Sequence, residues 1–297
     1  MRIVTRPDFD GIVCAVLLME AETITEKTLW AEPGDIQKDL IEICNGDILA
    51  NLPYNANCSM WFDHHYTNKV PDKVPGAFAI APSAAGVVYD YYKKKLGNRF
   101  DELVEQADKI DSAALTQDEV LHPENYPYVL LSMTISGRNS SDEWYWSRLT
   151  DLLGSTDIDT VMNDSEVYDR CHDVIERNNK YHDHLVRHTT VKDMVAVTDF
   201  RELERAPDGN RFLAYSLFQD AVVSVKIRYD TDNREKVILS IGHSIFNKNC
   251  NVNAGLLLSN YGGGGHFGAA GCSFPKSQAK ENVKEIIETL CKNEPLE

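Results

Sequence analysis

The segment that most constrains the fold is residues 61–65, where an apolar run ends in one carboxylate and two adjacent imidazoles. This pattern is typical of a buried strand at the carboxyl edge of a parallel sheet, where α/β proteins form their sites. Asp oxygen and His nitrogen together suit Mn²⁺, Fe²⁺ or Zn²⁺. Asp63, His64 and His65 are therefore candidate site residues. The alternative is an Asp that caps a turn beside two surface histidines.

A second pair of carboxylates lies near the N-terminus. Residues 2–5 predict a short strand and residues 12–19 an apolar helix, with Asp8, Asp10 and Gly11 on the turn between them. Gly11 allows a tight turn. One of the two carboxylates can cap the helix. A single cap needs one Asp, so the second carboxylate indicates a shared site.

Four consecutive glycines, residues 262–265, precede His266 and a run of small residues. This composition is poor for a helix or a strand. It predicts a loop whose backbone N–H groups approach an anion, with a helix N-terminus behind it. Apolar residues at 256–258 and 272–274 flank the run, which favours an enclosed loop over a flexible linker.

Composition limits the possible classes of protein. The chain has 297 residues, of which 43% are hydrophobic, enough for one large or two ordinary domains. Its formal net charge of −16 argues against binding a long nucleic-acid duplex, which needs a basic surface. A small phosphorylated substrate remains compatible, because metals and a few local cations can reverse the sign inside a site.

Cellular location is inferred from three absent patterns. No run reaches the length of a transmembrane helix, and the N-terminal residues lack the features of a signal peptide. The seven cysteines form no Cys-x-x-Cys pair and fit reduced thiols. We expect a cytoplasmic protein without a membrane partner.

Strand-like and helical segments alternate over residues 1–160. Such alternation predicts an α/β domain, a parallel sheet with helices on both faces. Residues 46–50 are one predicted strand, or the end of one, with Asp47 emerging from it. We expect Asp8, Asp10, Asp47 and residues 63–65 at the carboxyl edge of this sheet.

The remaining chain predicts a helical connector over residues 161–192 and a smaller α+β domain over residues 193–297. The connector is rich in charge. Its His182 and His184 are two residues apart and point to different helix faces, so they are not expected to bind one metal. The second domain contains strand-like runs at 194–197, 212–218, 222–229 and 237–241, and helices at 253–261 and 279–291.

Together, the Asp-x-Asp pair, the Asp-His-His run and the segment Gly-Gly-Gly-His-x-x-Ala-Ala-Gly resemble the DHH phosphoesterase superfamily, in the branch with a C-terminal DHH-associated domain. The resemblance covers nearly the whole chain in order and spacing. Members include RecJ-like exonucleases, nano-RNases, phosphodiesterases of cyclic or linear dinucleotides, and exopolyphosphatases. The family uses two divalent metals, often Mn²⁺, to hydrolyse phosphoester or phosphoanhydride bonds.

The resemblance implies a two-metal site for Mn²⁺, or for Mg²⁺, Co²⁺ or Fe²⁺. Asp47 would bridge the metals, and His64 would bind a metal or the attacked phosphate. Asp63 and His65 would orient their neighbours or stabilise charge. The implied metal ligands are Asp8, Asp10, Asp47, His64 and Asp108, with Asp111 as the alternative to Asp108.

One position departs from the family pattern. Relatives usually have a His four residues before the first Asp of the Asp-x-Asp pair, where this chain has Val4. One metal site therefore lacks its usual imidazole. A nucleotide- or polyphosphate-binding protein that has lost turnover is the alternative of another class.

The second domain is implied to hold the far end of the substrate. Relatives often place an Arg on the strand before the glycine run, where this chain has His243. Arg138 is a further candidate for a phosphate contact, with an ordinary surface Arg as the alternative. The implied substrate-binding residues are Gly263, Gly264, Gly265, His266, His243 and Arg138.

The expected reaction is hydrolysis of short oligonucleotides or linear dinucleotides to mononucleotides by a water activated between two metals. An exopolyphosphatase is the alternative within the same class. The family often dimerises, so a homodimer is possible.

Overall fold

Two sheets of different kinds organise the chain. The structure is a computed structural model that describes residues 1–66, 68, 74–137 and 142–296. One unit comprises Met1–Leu115 and Pro123–His172, and the other comprises Thr116–His122 and Asp173–Glu297.

The strands and helices of the described residues have the following bounds. The strands are β1 Arg2–Thr5, β2 Leu29–Trp30, β3 Asp47–Ala50, β4 Met60–Asp63, β5 Gly76–Phe78, β6 Thr189–Lys192, β7 Val195–Asp199, β8 Val223–Tyr229, β9 Lys236–His243, β10 Gly264–His266 and β11 Ala269–Pro275. The helices are α1 Phe9–Ala21, α2 Pro33–Gln37, α3 Ala84–Leu96, α4 Asp101–Asp111, α5 Gln117–Leu121, α6 Pro127–Met133, α7 Glu143–Ser155, α8 Ile158–Met162, α9 Ser165–His188, α10 Leu213–Leu217, α11 Ala254–Ser259 and α12 Ala279–Lys292.

The first sheet has the order β2-β1-β3-β4-β5, and its strands are all parallel. Successive side chains of a strand point to opposite faces. Val4, Leu49 and Trp61 pack in one buried cluster, and Ile3 and Phe62, one residue along, are fully buried as well. A parallel sheet with both faces buried confirms the predicted α/β class.

The second unit contains a mixed sheet with the order β10-β11-β9-β8-β7-β6, in which only β7 and β8 are parallel neighbours. Apolar residues of α11 and α12 share one buried cluster with it. This confirms the predicted α+β second part. The boundary between the two units falls inside α9, after His172. The three-part division at residues 160 and 192 stays a prediction.

Two local expectations in the second unit are wrong. Residues 212–218 contain α10, not a strand, because a short apolar run fits either element. The glycine run is no loop in front of a helix: Gly264–His266 form β10, which pairs with β11. Glycine is required here because Gly265 has a φ of 151°, and a Cβ on it would lie 2.4 Å from the Ala269 carbonyl oxygen.

Among the described residues, no helix combines the length and the apolar composition that a membrane crossing requires.

Candidate active site

The carboxyl ends of β1, β3 and β4 bring polar residues from distant parts of the chain together. Asp8 follows β1 and caps α1: its Oδ1 accepts a hydrogen bond from the Gly11 N–H at 2.9 Å. Asn51 follows β3 and donates from Nδ2 to the same oxygen at 3.0 Å. Asn51 has a φ of 57°, a left-handed conformation that Asn tolerates better than most residues.

Asp10 lies in the first turn of α1 and is 2% exposed. Its two oxygens accept hydrogen bonds from the Ala84 and Ala85 N–H groups at 3.0 and 2.7 Å, at the N-terminus of α3. Burial, reinforced by repulsion from Asp111 and Asp8, raises the pKa of Asp10 well above its usual range. A cation beside Asp10 relieves both effects.

His64 is oriented by a backbone carbonyl. Its Nδ1 lies 3.0 Å from the Ala81 carbonyl oxygen, which can only accept, so Nδ1 carries a proton; in the neutral ring, Nε2 then has the lone pair. Nε2 is buried without a hydrogen-bond partner among the described residues. It lies 3.4 Å from Asp111 Oδ2 and 3.9 Å from Asp10 Oδ2. A metal-binding His is typically held in this way.

Asp10, His64 and Asp111 thus form a group with ligand atoms within 4.8 Å of one another. Burial and repulsion from Asp8 raise the pKa of Asp111. Two carboxylate oxygens and one unpartnered imidazole nitrogen fit one divalent cation such as Mn²⁺. The buried Nε2 is the observation that favours a cation here over a chance cluster of acidic side chains.

Asp63 and His65 act as a pair next to this group. Asp63 is fully buried, and its Oδ1 lies 2.8 Å from His65 Nδ1. Asn68 Nδ2 donates to the other carboxylate oxygen. The hydrogen bond to Asp63 raises the pKa of His65, whose side chain is 40% exposed. Asp63 therefore orients His65, and the catalytic roles of both residues stay predictions.

Asp47 does not lie where we expected it. It begins β3 and is paired in register with Arg2 at the start of β1, at the amino edge of the sheet. Arg2 donates to both carboxylate oxygens at 2.9 and 2.6 Å, and the Cys44 N–H donates at 2.8 Å. The expected placement of Asp47 at the carboxyl edge is wrong, because β3 starts at this residue instead of ending near it.

Comparison with solved structures places the chain in a family. The pGpG-specific phosphodiesterase PggH from Vibrio cholerae is 31% identical, with a TM-score of 0.88 and 99% of each chain covered. The chain belongs to the DHH phosphoesterase superfamily.

More distant DHH structures share the fold. RecJ from Thermus thermophilus, in complex with Mn²⁺, is 12% identical with a TM-score of 0.61, and the match covers 99% of this chain and 52% of RecJ. An exopolyphosphatase-related protein from Bacteroides fragilis is 13% identical with a TM-score of 0.55, covering 98% and 92% of the two chains. No protein-family model and no curated protein matches the sequence.

Within this DHH site, the geometry favours Asp111 over Asp108. Asp108 Oδ1 accepts a hydrogen bond from Ser83 Oγ at 2.6 Å, and Ser83 also caps α3. Asp108 thus stabilises the N-terminus of α3, whose N–H groups donate to Asp10. Asp111, one helical turn later, faces His64 Nε2. The first preference for Asp108 as the metal ligand gains no support, and the alternative Asp111 does.

Two residues at the carboxyl edge were not predicted as site residues. Asn51 directly follows β3, and Arg6 directly follows β1. Arg6 Nη1 lies 3.2 Å from Asp8 Oδ2, while its Nε donates to Glu32 Oε2 at 3.2 Å. The signal available in the sequence was their position immediately after two predicted strands.

Of the substrate residues expected in the second unit, His243 has defined side-chain contacts. His243 Nε2 lies 3.0 Å from the Val252 carbonyl oxygen, and its ring packs edge-on against Phe267. Gly264, Gly265 and His266 are exposed on β10. Their contact with substrate, and that of Gly263, stays a prediction. Arg138 lies outside the described residues.

Proposed function

We propose that this chain hydrolyses linear dinucleotides to mononucleotides, with a divalent cation held by Asp10, His64 and Asp111. The observation that carries the proposal is the buried, unpartnered His64 Nε2 facing two carboxylates. The full-length similarity to PggH supports a guanine dinucleotide such as pGpG as the substrate class. A homodimer and action on slightly longer oligonucleotides stay predictions.

The reaction transfers a phosphoryl centre from a sugar oxygen to water. Water forms the new P–O bond and gives up a proton to solvent, the bond from phosphorus to the 3′ oxygen breaks, and that oxygen takes up a proton. When bound, the cation supplies charge relief at the phosphate and lowers the pKa of water. Asp10 is fixed by two backbone N–H groups, and His64 by the Ala81 carbonyl, so the site is preorganised.

His65 has the properties of a proton donor in this reaction. Its Nδ1 is held by Asp63, which leaves Nε2 for the substrate. The hydrogen bond to Asp63 raises the pKa of His65, so the imidazolium persists closer to neutral pH. In the proposed reaction, His65 follows His64 in the chain and donates a proton from Nε2 to the leaving 3′ oxygen.

The direct test is turnover of a matched panel after the protein is stripped of metal and given Mn²⁺. The panel contains pGpG, a longer 5′-phosphorylated RNA, a long single-stranded DNA, a cyclic dinucleotide and polyphosphate. We expect pGpG to be cleaved fastest. Asp111→Asn should lower this rate by more than about 100-fold, the upper end of the cost of losing an outer metal partner. Asp183→Asn, an exposed position on α9, is the matched control.

Other outcomes identify the alternatives. Cleavage of polyphosphate alone would replace the proposal with an exopolyphosphatase. Tight binding of pGpG without turnover, with Mn²⁺ or any other divalent metal, would support a nucleotide-binding protein. Turnover that survives Asp111→Asn would reject the assignment of the metal site.

A further inference from the structure

A second cation does not fit the described site as the first one does. A divalent cation needs several oxygen ligands, preferably carboxylates with free lone pairs. Among the described residues, two further carboxylates lie beside the Asp10–His64–Asp111 group. Asp63 forms a group with His64 and His65, and both its oxygens are hydrogen-bonded, to His65 and Asn68. The other carboxylate is Asp8. Its Oδ1 already accepts from Gly11 and Asn51, and its Oδ2 faces Arg6. Asp8 is therefore already engaged by two hydrogen-bond donors and one guanidinium.

Two positions that the family resemblance assigns to metal ligands do not supply a ligand here. Val4 is fully buried among apolar side chains. Asp47 is held by Arg2 at the opposite edge of the sheet. At the carboxyl end of β3 stands Asn51, whose Oδ1 is buried and has no hydrogen-bond partner among the described residues. This oxygen is neutral and cannot offset the charge of a second divalent ion.

A fixed cation already stands beside Asp8. Asp10 and Asp111 carry two negative charges when ionised, which one divalent cation neutralises. The Arg6 guanidinium lies 3.2 Å from Asp8 and 3.2 Å from Glu32. A second divalent cation would add two positive charges next to a guanidinium that remains protonated in proteins. Repulsion of this kind, at short range and partly shielded from water, is unfavourable.

Arg6 itself is placed to act on a substrate. Burial lowers its pKa, but Asp8 and Glu32 raise it further, so the net direction is upward and the charge is permanent. Its ion pair with Asp8, two residues before Asp10, puts it beside the metal group. The side chain is 38% exposed, and no described residue accepts a hydrogen bond from its Nη2.

We propose that this chain binds one divalent cation, at Asp10, His64 and Asp111, and that Arg6 provides the second positive charge at the scissile phosphate. The guanidinium would donate from Nη2 to a non-bridging phosphate oxygen, a geometry that Arg favours. The phosphate contact rests on the proposed function. The number of metals per chain does not, since it is a property of the free protein.

The first test counts metal without any substrate. The full chain, stripped and then titrated with Mn²⁺, is measured by isothermal titration calorimetry and by elemental analysis after gel filtration. Electron paramagnetic resonance of the loaded protein separates an isolated Mn²⁺ from a coupled pair. We expect one Mn²⁺ per chain with an uncoupled signal. Two Mn²⁺ per chain, or a coupled spectrum, would overturn the proposal.

Two variants test the reason for the single metal. Arg6→Met combined with Asn51→Asp removes the positive charge and introduces a carboxylate after β3, so the count should rise toward two with a coupled signal. Asn51→Asp alone should stay near one, because Arg6 remains. A count near one in the double variant would contradict the role given to these two residues.

The role of Arg6 at the phosphate is tested by kinetics on whichever panel substrate is cleaved. Arg6→Met should lower kcat by about 100-fold or more, the usual cost of losing a donor that stabilises transition-state charge, while the Mn²⁺ affinity stays within a few-fold of wild type. Arg6→Lys, which keeps the charge and the fold, should recover part of kcat. Unchanged kcat in Arg6→Met would refute this role.

These readouts separate the two proposals. A chain that cleaves no substrate but binds one Mn²⁺ would reject the proposed function and keep the single-metal inference. A chain that cleaves pGpG with two coupled Mn²⁺ ions would keep the proposed function and reject the single-metal inference.

Discussion

Replacing Asp47 with Asn separates a structural carboxylate from a metal ligand. Asp47 is the residue that the family resemblance would make the bridge between metals, but the structure places it in an ion pair with Arg2. We expect Asp47→Asn to lower the stability of the first unit. We also expect Mn²⁺ affinity and Mn²⁺-dependent turnover to stay as in wild type.

The magnitude follows from the contacts that are lost. The Asp47 side chain is 4% exposed, and Arg2 is 23% exposed. Two of the three hydrogen bonds to the carboxylate come from a guanidinium, and a bond to a charged group contributes about 1.5–3 kcal/mol. Asn keeps the volume and one acceptor, and water reaches part of Arg2. The loss is therefore about 2 kcal/mol, since a partly exposed pair is weaker than a fully buried one.

The assay is thermal unfolding followed by circular dichroism, with and without Mn²⁺. A loss of this size corresponds to about 4–8 °C in Tm for a domain of about 170 residues. The matched comparison is Asp111→Asn, which removes a carboxylate from the metal group. The metal-free Tm of that variant should not fall, because repulsion with Asp8 is relieved, but the rise in Tm on adding Mn²⁺ should vanish.

The result that would refute this reasoning is the opposite pattern. If Asp47→Asn kept its metal-free Tm but lost the stabilisation by Mn²⁺, Asp47 would be a metal ligand. The assignment of β3 and its register against β1 would then be wrong.

Three further predictions concern residues with distinct roles. Asp108→Asn should keep most Mn²⁺-dependent turnover in a steady-state assay, because Asp108 bonds to Ser83; near-complete loss of turnover would indicate that Asp108 is a metal ligand. Gly265→Ala should destabilise the second unit by more than about 1 kcal/mol in urea unfolding, because a non-glycine residue is strained at its φ of 151°; an unchanged midpoint would contradict the β10 hairpin. Asp63→Asn should lower the pKa of His65 in an NMR titration of metal-free protein, since the hydrogen bond to Asp63 raises it; an unchanged pKa would show that the pair does not form in solution.

Local motifs made the sequence informative about the first sheet and part of its site. Asp8 and Asp10 lie between a strand and a helix, and His64 follows an apolar strand, so their edge of the sheet follows from chain direction alone. The prediction that Asp47 lies at the carboxyl edge was wrong for a related reason. A strand of four residues has its two ends only three residues apart, within the usual uncertainty of element boundaries. Reading Asp47 as the end of β3 instead of its start moved it to the wrong edge.

Other features depended on packing that the sequence does not display. Asp108 and Asp111 are one turn apart on α4, and only the rotation of that helix decides which one faces His64. Arg6 became a site residue through its contacts with Asp8 and Glu32, and Glu32 is 26 residues away in the chain. The glycine run suggested a loop by composition. It forms a strand because α11 packs against its backbone: a Cβ on Gly255 would lie 2.5 Å from the Gly265 carbonyl oxygen.

The most direct test of the proposed function is a length series of 5′-phosphorylated guanine oligonucleotides, from the dinucleotide to the hexanucleotide, measured as kcat/KM with Mn²⁺. We predict that the dinucleotide has the highest kcat/KM and that the value falls steeply at the trinucleotide and beyond. A kcat/KM that is constant or rises with length, or no Mn²⁺-dependent cleavage of the dinucleotide, would contradict the assignment of this chain as a dinucleotide phosphodiesterase.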